Sequence, residues 1–86
     1  MPYMINMKDF ILNGITDELT DLETNGNIAF SDSYIRSEFI ADLLSEMLEQ
    51  FENDIAYYGH YNPNFTDAVS NKIQWDSEYY GLTILE

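Results

Sequence analysis

The sequence contains no cysteine, and only Lys8, Arg36 and Lys72 carry positive charge. Without thiols, disulfide frameworks, thiolate nucleophiles, Cys-zinc sites and iron–sulfur clusters are all excluded. Three cations against sixteen acids leave a net charge of −13, which argues against direct nucleic-acid binding. With a single histidine, His60, a multi-histidine metal site is impossible. No Ser or Cys nucleophile motif accompanies it to suggest a triad. Glycine-rich phosphate loops are absent, as are apolar runs of membrane-spanning length. Met1 to Asn6 shows neither the basic nor the apolar region of a signal peptide, so the expected location is the cytoplasm. An acidic surface is also repelled by anionic lipid, so no membrane partner is expected.

What the chain does have is enough apolar residue to fold. With 86 residues, 45% of them hydrophobic and thirteen aromatic, it can build one domain around one modest core. The charge imbalance is therefore not a sign of disorder. Richness in Ile, Asn and Tyr suggests an AT-rich genome, but such genomes also favour Lys, and only two are present.

Three helical segments are expected. The first spans about Lys8 to Leu22, with Asn6 as its N-cap, an apolar stripe at Ile11, Ile15, Leu19 and Leu22, and Gly14 as a weak point. Asn25-Gly26 marks a turn. The second, from Ser33 to about Tyr58, gives the strongest signal. Ile40, Leu43, Leu44, Met47, Leu48, Phe51, Ile55 and Tyr58 fall in an arc of about 140°. Thr66 is expected to cap a third helix that turns Val69 and Ile73 inward and ends at Gly81. Together these predict an all-α fold: a small bundle of about three helices dominated by one long amphipathic helix. A minor β element fits near 27–30 or 82–85.

The acids are ordered along the long helix. Glu38, Asp42, Glu46, Glu49 and Glu52 fill an arc of about 120°, centred almost opposite the apolar one. The row is about 21 Å long, with carboxylates every 4.5–6 Å or so. Asp17 and Asp21 add another i, i+4 pair on the first helix, with Glu18 beside them. Like charges so placed cost about 0.2–0.5 kcal/mol per pair, and Arg36 is the one cation near the row in sequence. Spacing close to that of successive phosphates would let the row occupy Arg and Lys sites on a nucleic-acid-binding protein. A plain solvated face is the bland alternative.

In length, charge row and helical character the chain resembles the small acidic DNA-mimic inhibitors that phages and mobile elements make against restriction, CRISPR or repair proteins. That class shares no sequence motif. The resemblance implies a non-enzymatic inhibitor whose partner is a basic nucleic-acid-binding protein of a bacterial host, with no cofactor. Its expected contact residues are Glu38, Asp42, Glu46, Glu49 and Glu52, Asp17 and Asp21, and the aromatics Tyr34 and Phe39. Those two aromatics, with Ile35, project toward the acidic side of the long helix. Either they anchor the partner, or they pack under the N-terminal segment or the C-terminal tail. Phe51, Tyr58, Phe65 and Trp75 are read as core.

Three other patterns remain open. A helical oligomerisation module, for instance a homodimer, would use the long helix as its interface. Asp54-Ile55-Ala56-Tyr57-Tyr58 looks like the D-x-x-Y-Y element through which DNase-bacteriocin immunity proteins bind a nuclease, although that family places a turn before it. Asp21 to Asp32 resembles an EF-hand calcium loop, with Asp21, Glu23, Asn25 and Gly26 at positions 1, 3, 5 and 6. Its twelfth residue is Asp rather than the bidentate Glu, and an Asn-Gly turn between helices explains the same residues.

Overall fold

The structure, a computed structural model, describes residues 6–85. Helix α1 spans Met7–Thr24, strand β1 Ile28–Ala29, helix α2 Ser33–Tyr58, helix α3 Phe65–Asp76 and strand β2 Thr83–Ile84. The expected three-helix bundle is present. Both candidate β segments form, and they pair with each other. Ile28 stands opposite Ile84 and Ala29 opposite Thr83 in an antiparallel ribbon, extended by Leu85 N–H donating to the Asn27 carbonyl. The reading of Met1 to Asn6 as free of a signal peptide falls mostly outside the described residues.

Each helix begins where a short polar side chain can replace the missing backbone acceptors. Asn6 accepts from the Lys8 and Asp9 amides, and Asp32 accepts from the Ile35 amide. The third cap differs from expectation. Asn64, extended after Pro63, accepts from Asp67 N–H, while its own amide donates to the Asp67 carboxylate. Thr66, expected as the cap, lies inside the helix and donates its hydroxyl to Glu18 of α1. Glycines at positive φ, Gly26 and Gly59, close the other ends of α1 and α2. Gly26 (φ 76°) completes a Schellman turn, its N–H bonding Glu23 O and that of Asn27 bonding Leu22 O. This turn accounts for the segment that resembles a calcium loop, and within it Glu23 is engaged by Arg36. Helix α3 stops at Asp76, short of Gly81. A separate turn then ends on Gly81, with Leu82 N–H bonding Ser77 O.

One core joins the three helices, β1 and the segment before β2. Ile11, Ile15 and Leu19 of α1 meet Phe39, Leu43 and Met47 of α2, Val69 and Ile73 of α3, and Ile28, Tyr80 and Leu82. Gly14 turns out to be a contact rather than a defect. A methyl group there would lie 2.3 Å from the Phe65 ring, so its bareness lets α3 start against α1. Phe65 also packs edge-on against Phe10.

The buried face of α2 departs from the expected one. Phe39, Leu43 and Met47 are buried, whereas Ile40, Leu44, Leu48 and Phe51 are half-buried and Ile55 and Tyr58 are exposed. The centre of burial is therefore turned about 70° toward the acidic side. Two physical causes are visible. Phe30, just after β1, and Tyr80, in the turn before β2, cover the flank that carries Phe39, and α3, with 12 residues, is too short to cover the whole of a 26-residue helix.

Candidate functional site

The carboxylate row stands on a helix about 39 Å long whose first and last turns are both capped. Glu38, Asp42, Glu46, Glu49 and Glu52 are all exposed, but they are not equivalent. Because the buried face is turned toward them, Asp42 and Glu46 border the core. Glu46 Oε2 receives Lys72 Nζ at 2.7 Å, and Asp42 Oδ2 accepts the Tyr80 hydroxyl. Glu38, Glu49 and Glu52 have no ion-pair partner among the described residues.

Lys72 is the feature that sequence spacing did not reveal. It is buried although charged: its ammonium lies 5.9 Å from the Phe39 ring centre and 5.4 Å from that of Tyr80 while it reaches two carboxylates. The second is Asp76, at 3.3 Å. Burial alone would lower the pKa of Lys72, but the hydrogen bonds it donates to Glu46 and Asp76, with the charge of Glu46, outweigh that and hold the pKa above its ordinary value. Burial, with the bond to Asp42, pushes the Tyr80 phenol up to about 12. The shared ammonium brings Asp76 beside Glu46, so the acidic surface extends onto the end of α3, where Glu78 is also exposed. The i, i+4 step from Lys72 to Asp76 was the available hint for this extension. Nothing in the sequence placed that pair against α2.

The other expected contact residues separate. Tyr34 is 69% exposed, and the charge of Glu38 beside it raises its pKa. Phe39 is wholly buried and is not a contact residue. Its ring packs edge-on against Phe30 at 5.4 Å and Tyr80 at 5.3 Å, residues on either side of the β ribbon in sequence. Asp17 and Asp21 are exposed on the outer side of α1, away from Ile11, Ile15 and Leu19. Helix α1 meets α2 through Arg36, which holds Glu23 with its Nε 2.9 Å from both carboxylate oxygens. Arg36 lies about 140° around α2 from the centre of the row. Asp17 and Asp21 therefore form a separate acidic patch rather than a continuation of the row.

Two residues read as core are on the surface: Trp75, 78% exposed, and Tyr58, 70% exposed. Tyr57 is 80% exposed, and Asp54 at the same end of α2 accepts from Gln50. With 6011 Å² of accessible surface, the protein averages one net charge per about 460 Å². Duplex DNA carries about one per 100 Å², so only a local concentration such as the α2–α3 face approaches it.

No group of three or more His, Asp or Glu able to hold a metal ion occurs among the described residues, and no helix there is long and apolar enough to cross a membrane. Comparison with protein-family models, characterised proteins and solved structures finds no match.

Proposed function

We propose that this chain is a non-enzymatic acidic inhibitor that binds a basic nucleic-acid-binding protein of a bacterial host and blocks its groove. The observation that supports this reading is the exposure of Glu38, Glu49 and Glu52 along one side of a single helix, with no cation paired to them among the described residues. Carboxylates fixed on a long helix keep their spacing, as phosphates do, and take the Arg and Lys side chains a nucleic acid would take. Asp42 and Glu46 hold the ends of Tyr80 and Lys72 and are best left intact when the row is tested. The informative variant is therefore Glu49→Lys with Glu52→Lys. It is expected to fold normally and to lose the basic partner. A partner held equally well by the variant and the native chain places the interface elsewhere.

A second reading has its own support. Tyr57 and Tyr58 stand exposed beside Asp54, as the D-x-x-Y-Y element of a nuclease-immunity protein would require. Replacing both tyrosines by Ala separates the two readings. Loss of binding there, with the Glu49/Glu52 variant still active, selects the immunity-type contact.

A further inference from the structure

Beyond Met47 the inner side of α2 becomes polar, and α3 no longer covers it. A groove of about 440 Å³ opens there between the two helices, closed at one end by the Tyr61–Asn64 loop. That volume falls in the range of about 300–1,000 Å³ typical of sites that enclose a ligand group. Leu43, Met47 and Ala68 supply an apolar floor. Glu46, Asp54 and Asp76 stand on its walls against Lys72 alone, so the groove is net negative. Gln50, Asn62 and Asn71 add neutral amide oxygens. At the wall stands Trp75, an indole 78% exposed, whose face is open to an incoming side chain.

We propose that this groove takes an arginine side chain, together with one apolar neighbour, from a short basic segment of the protein this chain binds. A guanidinium matches each part of the lining. Its stem lies along the apolar floor, its planar face stacks on Trp75, and its fork of donors meets carboxylate and amide oxygens. A lysine ammonium satisfies the charge but neither the stacking nor the fork. A second copy of this chain does not fit. It too carries −13, its one arginine, Arg36, and Lys72 are already held by its own carboxylates, and the remaining cation, Lys8, lacks the guanidinium fork. The inference rests on the reading of the chain as a binder of basic proteins, and it supplies that reading with an anchoring point beside the carboxylate row.

Trp75 is the only tryptophan, so its fluorescence reports on the groove directly. The probe is a capped hexapeptide alternating arginine and leucine, compared with versions carrying lysine or the uncharged isostere citrulline in place of arginine. The arginine peptide is expected to change Trp75 emission saturably, the lysine peptide to bind at least about threefold more weakly, and the citrulline peptide not to bind. By calorimetry, Trp75→Ala is expected to weaken the arginine peptide by about 3- to 30-fold. Equal affinity for arginine and lysine peptides, or for Trp75→Ala and the native chain, overturns the proposal. The Glu49→Lys/Glu52→Lys variant keeps the two readings apart. A native chain that binds a nucleic-acid-binding protein through the row but ignores the hexapeptide defeats the groove alone. One that binds the hexapeptide at Trp75 while no nucleic-acid-binding protein is held by the row defeats the inhibitor reading and leaves the groove standing.

Discussion

Lys72 Nζ of α3 lies 2.7 Å from Glu46 Oε2 of α2, and this ion pair fixes the edge of the acidic face to the core. The lysine is buried while both of its carboxylate partners stay partly in water, so much of the desolvation cost falls on the cation alone. Lys72→Met keeps an unbranched side chain at this buried position but removes the charge. It is expected to lower unfolding free energy by about 1–3 kcal/mol, measured by urea denaturation. Glu46→Gln, which leaves Asp76 in place, is expected to cost about 1 kcal/mol or less.

Alkaline pH acts on the same corner. The Tyr80 phenol titrates at about 12 in the folded protein, against about 10 in an unfolded chain. Between those values the folded state binds the extra proton, so stability falls as pH rises. Lys72, also raised, contributes in the same direction: its stabilisation is complete below its unfolded pKa and is lost above it. Melting temperature is therefore expected to decline from pH 10 to pH 12 or so, and Tyr80→Phe to flatten part of that decline.

Gly14→Ala tests the contact between α1 and α3. Helix propensity alone favours the substitution by about 1 kcal/mol. Overpacking against Phe65 opposes it, and net destabilisation of about 1–3 kcal/mol is expected. Combining it with Phe65→Ala removes the clash, so the pair is expected to cost less than the sum of the single changes in a double-mutant cycle.

Phe39 and Tyr34 separate core from surface on the acidic side of α2. Phe39→Ala is expected to cost about 3–5 kcal/mol, and Tyr34→Ala to stay within about 0.5 kcal/mol. Equal effects in thermal unfolding would contradict the placement of Phe39 in the core between Phe30 and Tyr80.

The contrast between these two residues shows how far the sequence could be read. The bounds of α2 were legible because Ser33 and Gly59 punctuate an uninterrupted apolar period, and its end at Tyr58 follows from the φ of 77° that Gly59 adopts. Ile11, Ile15 and Leu19 were legible for the same reason. The rotation of the buried face was not, because periodicity identifies an apolar arc but not which part of it a short neighbour covers. Trp75 and Tyr58 were misplaced on that account: Tyr58, in the last turn of α2, is left uncovered, and Trp75 lies on the groove's wall. Thr66 lost the capping position to Asn64 because both are good caps and the tertiary partner Glu18 was invisible in the sequence. The five carboxylates were legible as a row. That Lys72 tethers one of them, and that Asp17 and Asp21 stand apart, depends on how the helices pack.

The central claim is that the carboxylate row of α2 substitutes for phosphates, and competition against nucleic acid tests it most directly. A basic protein captured by the chain is loaded with duplex DNA or RNA, and the chain is titrated in at rising salt. The account predicts displacement of the nucleic acid, and an affinity that falls at least about tenfold between 50 and 500 mM salt as screening erodes the charge contacts. A ternary complex that retains its nucleic acid, or an affinity indifferent to salt, would contradict it.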